Sequence, residues 1–336
     1  MTKTLKIVIP MAGLGTRLRP QTWSRPKQLI RVAEQTIIEH VVDTFSNLPS
    51  GYNIEYIFII GYLGDKIKTF MQKKHPEMNI RYVTQTEMKG QSHAIYLAKD
   101  YLHGPAIMVF ADTLIQTDLR FLEDSDADIV GLVKPVEDPR RFGVAKVDDD
   151  GWVTRLIEKP SDVKNNLAVV GFYYFRNGEN LIAAIEEQIH KDVQLKGEYF
   201  VADAINIMIE KGAKMRTHRV DTWLDAGTPK AILATNQYLL EHGHDNSREL
   251  NSQFNNVLIH PVFVHPSAKV RNSIIGPHVS IGADCDIESS IFRNTIIEDG
   301  CLISYAKLQD SLIGQHTSIE GKLNTINVGD NTVVLL

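Results

Sequence analysis

From Val264 onward, aliphatic residues return at every sixth position in blocks: Val264 and Val270; Ile275, Ile281 and Ile287; Ile291, Ile297 and Ile303; Ile313 and Ile319. A six-residue period matches neither the turn of an α-helix nor the two-residue alternation of a lone strand. With Ile-Gly pairs at Ile275-Gly276, Ile281-Gly282 and Ile313-Gly314, it fits a parallel β-helix in which each rung rests its aliphatic residue on the rung before. The blocks slip by four or five residues against one another, so irregular corners are expected rather than a perfect prism.

Ahead of the repeat the chain changes character. Up to about residue 135, short β-branched runs (Leu5–Ile9, Glu55–Ile60, Arg81–Thr84, Ile107–Ala111 and Ile129–Val133) read as strands. Between them lie helical faces formed by Ile37, Ile38, Val41, Val42 and Phe45, by Ile67, Phe70 and Met71, and by Ala94, Ile95, Leu97 and Ala98. Such alternation predicts an α/β fold, a mostly parallel sheet with helices on both faces, whose ligands gather at the carboxyl ends of the strands. From about 140 to 225 the pattern turns to hairpin-like strands, Gly143–Val147, Val153–Glu158 and Ala168–Phe175, with helices near 178–189 and 201–211, and reads as an inserted substrate-side region. Asp150-Gly151 is expected at a hairpin tip. A helix over about 229–241 closes the first domain, and the polar run from Glu241 to Ser247 reads as a linker. Two domains, 1–244 and 256–336, suit 336 residues of which 43% are hydrophobic.

The first strand runs into Pro10-Met11-Ala12-Gly13-Leu14-Gly15-Thr16-Arg17-Leu18-Arg19-Pro20, followed by Pro26-Lys27. Gly13 and Gly15 allow a tight turn whose amide N–H groups face a polyphosphate, while Arg17 and Lys27 add positive charge. The dinucleotide fingerprint needs a third glycine where Leu18 stands, and the Walker loop needs Gly-Lys-Ser/Thr where Thr16-Arg17-Leu18 stands. What remains, Gly-x-Gly-Thr-Arg-Leu-x-Pro-x-Thr and then Pro-Lys, resembles the sugar-1-phosphate nucleotidyltransferases, most closely the long form of glucose-1-phosphate thymidylyltransferase. The resemblance spans nearly the whole chain, including a Val328-Gly329-Asp330-Asn331-Thr332 ending like that of the long form. It implies a Rossmann-like nucleotidyltransferase domain followed by a left-handed parallel β-helix. One departure stands out: members continue after Pro-Lys into Pro-Leu-Leu-Pro-Val-x-Gly-Lys-Pro, where this chain has Gln28-Leu29-Ile30-Arg31-Val32-Ala33-Glu34-Gln35-Thr36. A changed loop, not a changed reaction, is the expectation.

The resemblance also implies roles. Ala12, Gly13, Gly15 and Thr16 would bind the nucleotide, Arg17 would clamp the triphosphate, and Lys27 would reach the α-phosphate and the incoming phosphate. Asp112 (Ala111-Asp112-Thr113 here, Gly-Asp-Asn in the family) and Asp225 (Trp223-Leu224-Asp225-Ala226-Gly227-Thr228) would converge to ligate Mg²⁺. Lys159 would meet the sugar phosphate and Glu158 a sugar hydroxyl, with Gly143, Gly171 and Glu198 also facing the sugar; Asp203 follows Glu198 in that motif. Gln85 and Gly90 would read a pyrimidine edge, thymine or uracil, although Gln91 departs from the usual Gly-Leu-x-His-Ala. Read without the resemblance, Arg17 is a solvated loop arginine, each aspartate a turn or cap residue, and Glu158-Lys159 a surface ion pair before a proline.

A net charge of −5 without a basic stripe argues against a nucleic-acid partner. The acidic clusters Glu123 to Asp126 and Asp148 to Asp150 read as solvated turns, and Cys285 and Cys301 as small buried hydrophobes. Neither a signal peptide nor a membrane span fits the N-terminus, so the cytoplasm is the expected compartment. The expected reaction joins dTTP and glucose 1-phosphate by direct in-line attack, with inversion at the α-phosphorus and no covalent nucleophile. Its rivals are use of UTP or of N-acetylglucosamine 1-phosphate, and a nucleotide-sugar sensor or regulatory subunit without turnover. For the β-helix the expected role is structural, assembling a homo-oligomer or covering the catalytic domain, rather than acetyl transfer.

Overall fold

The computed structural model describes residues 3–49, 51–248, 255–322 and 333; the Val328–Thr332 ending lies outside the described residues. The chain forms two compact units, residues 1–30 with 36–231, and residues 31–35 with 232–336. In chain order the strands up to residue 225 are β1 (Lys3–Pro10), β2 (Arg31–Val32), β3 (Gln35–Thr36), β4 (Tyr52–Ile60), β5 (Ile80–Thr84), β6 (Ala106–Val109), β7 (Thr113–Gln116), β8 (Ile129–Pro135), β9 (Gly143–Val147), β10 (Val153–Glu158), β11 (Leu167–Phe175), β12 (Met215–Arg219) and β13 (Thr222–Asp225). The helices are α1 (Ile37–Asp43), α2 (Gly64–Lys74), α3 (Gln91–Tyr96), α4 (Gly178–His190), α5 (Val201–Glu210) and α6 (Pro229–Glu241).

The first unit is built on a mixed, Rossmann-like sheet ordered β10-β9-β11-β6-β1-β4-β5, with β8 joined to β11 and β12 to β8. Strand β1 runs parallel to both β4 and β6, Val8 lying opposite Ile57 on one side and Met108 on the other. Covered on both faces, its Leu5, Ile7, Val8 and Ile9 are all buried, which is why a parallel strand reads as an apolar run, broken here only by Lys6, which pairs with Glu55 on β4. The chain moves outward from β1 through β4 to β5, then returns to the other side of β1 at β6. That reversal opens a crevice at the carboxyl ends of β1 and β6.

Beyond β6 the sheet turns antiparallel through β11. Strand β8 runs in the same sense as β1 and β6, as its place in the parallel set requires, and lies parallel to β12; it joins the sheet through β11, the strand that runs the other way. The β9–β10 hairpin turns at Asp150-Gly151 as expected, Gly151 holding a φ of 80° and donating its N–H to Asp148 O. Helix α1 starts at a capping box: the Thr36 side chain accepts from Glu39 N, and a Glu39 carboxylate oxygen accepts from Thr36 N.

The second unit is a coil of parallel strands, compatible with a left-handed β-helix. One face stacks Val257–Leu258, Ile274–Ile275 and the start of Ile291–Ile297; another stacks Val262–Val264, Val279–Ile281 and the end of Ile291–Ile297; a third stacks Lys269–Arg271, Asp286–Glu288, Leu302–Ser304 and Ser318–Glu320. Left-handed residues sit at the corners, Asn272, Ser289 and Tyr305 at one and His278, Asn294 and Asp310 at another, and these corners are the slips seen in the six-residue period. Ile275, Ile281, Ile287, Ile297 and Ile303 fill the interior, but Ile291 does not: it is 42% exposed, and Phe292 takes the inward place above Ile275. Cys285 and Cys301 are free and buried among these rungs.

Two expectations change here. The run from Glu241 to Ser247 is not a slack linker: Asn246 exchanges hydrogen bonds with Val264 N and O, and Asp245 Oδ1 accepts from Val262 N, so the polar side chains satisfy the edge of the first rung. Helix α6 joins the second unit from Ile232 onward, where the fully buried Asn236 accepts from Ser280 Oγ. Among the described residues, no helix is long and apolar enough to cross a membrane.

Candidate active site

After β1 the chain crosses the crevice as Met11 to Leu18. Met11 N donates to Ile59 O at 2.8 Å, and Ala12 is buried so closely against Gly61 that a Cβ there would lie 2.7 Å from Ala12 O. Gly15 is left-handed, with a φ of 62°, and starts the one-turn helix Thr16–Leu18, from which Leu18 points into the core while Thr16 and Arg17 stay exposed. A Cβ on Gly15 would lie 3.5 Å from Lys27 Cβ, so this turn and the Lys27 turn touch. Gly13 does not share the strain: it has no positive φ, and nothing stands within 4 Å of the Cβ it lacks. It leaves open space above the loop.

The charged residues meet at the ends of β7 and β13, a short antiparallel pair that the sequence reading did not find. Thr113 lies opposite Asp225, and Ala226 N donates to Asp112 O at 3.0 Å, so two aspartates far apart in the chain are set side by side. Lys27 Nζ donates to Asp112 Oδ2 at 2.5 Å. Burial pushes the Asp112 carboxyl up, but the charge and hydrogen bond of Lys27, with the charge of Arg17, outweigh it and hold the group below the usual aspartate range. Asp225 moves the other way. Burial and the neighbouring Asp112 charge raise it, and the Gly227 N–H, Arg17 and Lys27 offset only part of the rise. Gly227 is the hub: a Cβ there would lie 2.9 Å from Asp225 Oδ1, 3.6 Å from Asp112 Oδ2 and 3.7 Å from Arg17 Nη2.

Gln85 follows β5 and is buried, its backbone N–H donating to Ile60 O. Its amide Nε2 lies 3.3 Å from Gly90 O and 3.2 Å from His93 Nδ1, so both donors turn inward and Oε1 is the acceptor left to present. Burial, aided by Lys89 and opposed by Glu87, lowers the His93 pKa and favours the neutral ring that accepts at Nδ1. Gly90 has a φ of 97°, and a Cβ on it would lie 2.5 Å from Tyr199 N and 2.6 Å from Tyr199 O. Tyr199 N donates to Lys89 O and Ser92 N donates to Tyr199 O, so the chain after Glu198 is tied to this turn. Glu198 itself is exposed at the foot of a two-residue turn in which Lys196 and Gly197 are left-handed. Gly90→Ala is expected to cost roughly 2–4 kcal/mol through strain and backbone collision. Gly13→Ala should be nearly neutral. Thermal unfolding of the two variants side by side checks the contrast.

On the sugar side, Gly143 pairs with Glu158, and a Cβ on Gly143 would lie 3.0 Å from Glu158 Oε2, so the glycine lets the carboxylate lie across the strand. Burial raises the Glu158 pKa; Lys159 opposes the rise and Asp203 adds to it. Lys159 is a left-handed non-glycine residue with a φ of 48°, its N–H donating to Phe142 O and its Nζ lying 5.1 Å above the Phe200 ring. Asn206 on α5 bonds both N and O of Leu156, docking the helix on the free edge of β10 and bringing Asp203 towards Glu158. The Phe142 ring meets the Trp223 ring edge-on at 5.0 Å, which links this group to the strand that ends in Asp225. Gly171, expected to face the sugar, is buried at a bulge in β11 with a φ of 78°, where a Cβ would strike the Phe110 ring. It thereby makes room for the turn that carries Asp112.

Residues 6–242 match the nucleotidyl transferase family. The chain belongs to that family. It is 34% identical over 70% of its length to the low-salt glycan biosynthesis nucleotidyltransferase Agl11 of Haloferax volcanii, and 33% identical over 70% of its length to the bifunctional protein GlmU of Methanocaldococcus jannaschii. The chain spans 66% and 54% of the lengths of those two relatives. With glucose-1-phosphate thymidylyltransferase of Streptomyces griseus it shares 26% identity over 89% of this chain and 88% of the relative. A crystal structure of a putative glucose-1-phosphate thymidylyltransferase from Bacillus anthracis, in complex with a sucrose, matches the fold with a TM-score of 0.59 and 23% identity, over 74% of this chain and 97% of that one.

The sequence reads Gly227 only as part of the Asp225 motif, with no role of its own, and gives no sign of the Phe142–Trp223 contact. The glycine stands two residues after Asp225, a spacing that lets its N–H reach Asp225 Oδ1 at 2.8 Å, and Asp-x-Gly at a strand end was the available signal. No local signal announces the aromatic pair, because its two rings are brought together only by tertiary folding.

Proposed function

We propose that this chain transfers a thymidylyl group from dTTP to glucose 1-phosphate, releasing pyrophosphate, with Mg²⁺ as cofactor. The observation that carries the reading is the gathering of Arg17, Lys27, Asp112 and Asp225 around Gly227 at the carboxyl ends of the strands. Two polyanions approach one another only where their charge is neutralised, and a site with two cations and two carboxylates does this without a covalent intermediate.

Among the described residues no group of three carboxylate, histidine or cysteine side chains could hold a metal. The pair Asp112 and Asp225 nonetheless fits Mg²⁺, which keeps much of its shell for water and substrate phosphates and uses one or two carboxylates. When bound, the ion would neutralise phosphate oxygens and polarise the α-phosphorus. Arg17 presents a planar fork suited to two phosphate oxygens, and Lys27, paired now with Asp112, would trade that partner for phosphate. Lys159 would face the sugar phosphate, while Glu158 accepts a hydroxyl. The Gln85 Oε1 suits the imide N–H of thymine or uracil and finds no such donor on cytosine. Between those two bases, the match to the Streptomyces griseus thymidylyltransferase takes in 89% of this chain, against 67% for a uridylyltransferase relative, and favours dTTP.

A second reading uses UTP. It is supported by 31% identity to UTP–glucose-1-phosphate uridylyltransferase AglF of Haloferax volcanii, of which this chain covers 93%. Five nucleoside triphosphates assayed against several sugar 1-phosphates, with pyrophosphate detection, separate the readings. The highest kcat/KM with dTTP and glucose 1-phosphate is expected. A higher value with UTP overturns the thymidylyl assignment, and tight nucleotide binding without pyrophosphate release points to a sensor instead. A homo-oligomer is part of the same proposal, and light scattering should return a mass that is a multiple of the 37.8 kDa chain.

A further inference from the structure

The two ends of a glutamine amide are alike in size and opposite in hydrogen-bonding character, so the end that faces outward settles which base it can read. An outward oxygen accepts the N3–H of thymine or uracil, whereas an outward amino group donates to the bare N3 of cytosine. At Gln85 the choice is made by what lies behind the amide. Gly90 O, 3.3 Å from Nε2, and His93 Nδ1, 3.2 Å from it, both belong with Gln85 to the first unit.

Gly90 O can only accept, and it is shared, because Ala94 N in the first turn of α3 also donates to it at 3.2 Å. On that oxygen alone the amide would hang by one long bond. The second partner comes from His93, the third residue of α3, whose half-buried ring accepts at Nδ1 when it is neutral and carries its proton on Nε2. Burial, the largest influence on this ring, favours the neutral form. Turned over, the amide would set Oε1 against two acceptors at once. The residue has no room to shift away from that clash, since it is 5% exposed and its backbone N–H is committed to Ile60 O at 2.8 Å.

We infer that His93 is a positioning residue that sets the base specificity of the site. By accepting the second amide hydrogen of Gln85 it keeps the amide oxygen outward, ready for an imide N–H and closed to cytosine. The inference rests on the base-reading role proposed for Gln85.

Dissociation constants of dTTP and dCTP, measured by isothermal titration calorimetry on the full chain, test it with or without turnover. His93→Leu keeps bulk on the helix and removes the acceptor. It is expected to shrink the preference for dTTP over dCTP about tenfold, the effect of losing one hydrogen bond. His93→Asn offers a side-chain oxygen in place of Nδ1 and should bring the preference back to within about threefold of wild type. A purely structural role would weaken both nucleotides alike and leave their ratio unmoved. A wild-type ratio in His93→Leu, or no recovery in His93→Asn, overturns the inference. If His93→Leu does not fold, by circular dichroism, His93→Ala takes its place with the same expectations. Gln85→Leu separates the two readings. A wild-type ratio in that variant, or a wild-type protein that binds dCTP as tightly as dTTP, defeats the role of Gln85 and the inference with it. A collapsed ratio there, beside an unmoved one in His93→Leu, removes His93 alone. Added to Gln85→Leu, His93→Leu should change the ratio no further, because a residue acting through Gln85 loses its effect once Gln85 is gone.

Discussion

Arg17→Ala is expected to lower kcat by roughly 10²–10³, the loss seen when one preorganised charge or donor is removed from a transition state. Leu18 anchors its turn in the core, Gly15 supplies the left-handed start, and the Arg17 side chain is left exposed beside Gly227, so its removal leaves no cavity, and Asp112 keeps the nearer charge and hydrogen bond of Lys27. The thermal midpoint of the variant should therefore stay close to that of the wild type while turnover collapses. Arg17→Lys should recover only part of the rate, because an ammonium group cannot offer two parallel N–H donors to a pair of phosphate oxygens. Steady-state pyrophosphate release, read beside a melting curve, checks both halves. Wild-type turnover in Arg17→Ala removes the residue from the mechanism.

What the sequence made legible divides along a physical line. Strands and helices with long, even burial announced themselves: β1, β4 and β11 are nearly solid apolar runs, and α5 turns one face inward from Val201 to Met208. Directions and pairings did not. β11, which reverses the sense of the sheet between β6 and β8, carries the same buried run whichever way it points, and β7 and β13, at four residues each, are too short for any period to emerge. In the coil the six-residue repeat marked the right faces but placed Ile291 inside, because a corner shifts the register by one and hands the interior to Phe292. The site follows the same rule. Arg17 and Lys27 lie in one local motif, whereas the meeting of Asp112 with Asp225 depends on a pairing across more than a hundred residues and was reachable only through resemblance.

Asp112→Asn and Asp225→Asn should both cripple the reaction yet move stability in opposite directions. Each removes one of the two carboxylates proposed to hold Mg²⁺, so at fixed metal the rate should fall roughly 10²-fold or more, and the Mg²⁺ concentration for half-maximal rate should rise by about 10–100-fold. The folding effect turns on the sign of each pKa shift. The fold lowers the Asp112 pKa, meaning that it favours the charged form through Lys27 and Arg17; losing that charge forfeits its attraction to both cations and should lower the melting temperature. The fold raises the Asp225 pKa, meaning that the charged form is held against burial and the Asp112 charge; losing it relieves the strain and should preserve or raise the melting temperature. The gap between the variants belongs to neutral pH. The Asp225 penalty fades as pH falls through its raised pKa towards the ordinary value of 3.8, and the Asp112 contribution is lost below 3.8 as pH falls through its lowered one. Melting curves at pH 7 with Mg²⁺ titrations of the rate decide it. Equal destabilisation by both substitutions, with the metal requirement unmoved, would show that the two carboxylates only brace the ends of β7 and β13; opposite shifts with a raised requirement would place the cost of an ill-matched carboxylate pair where the reaction needs its metal.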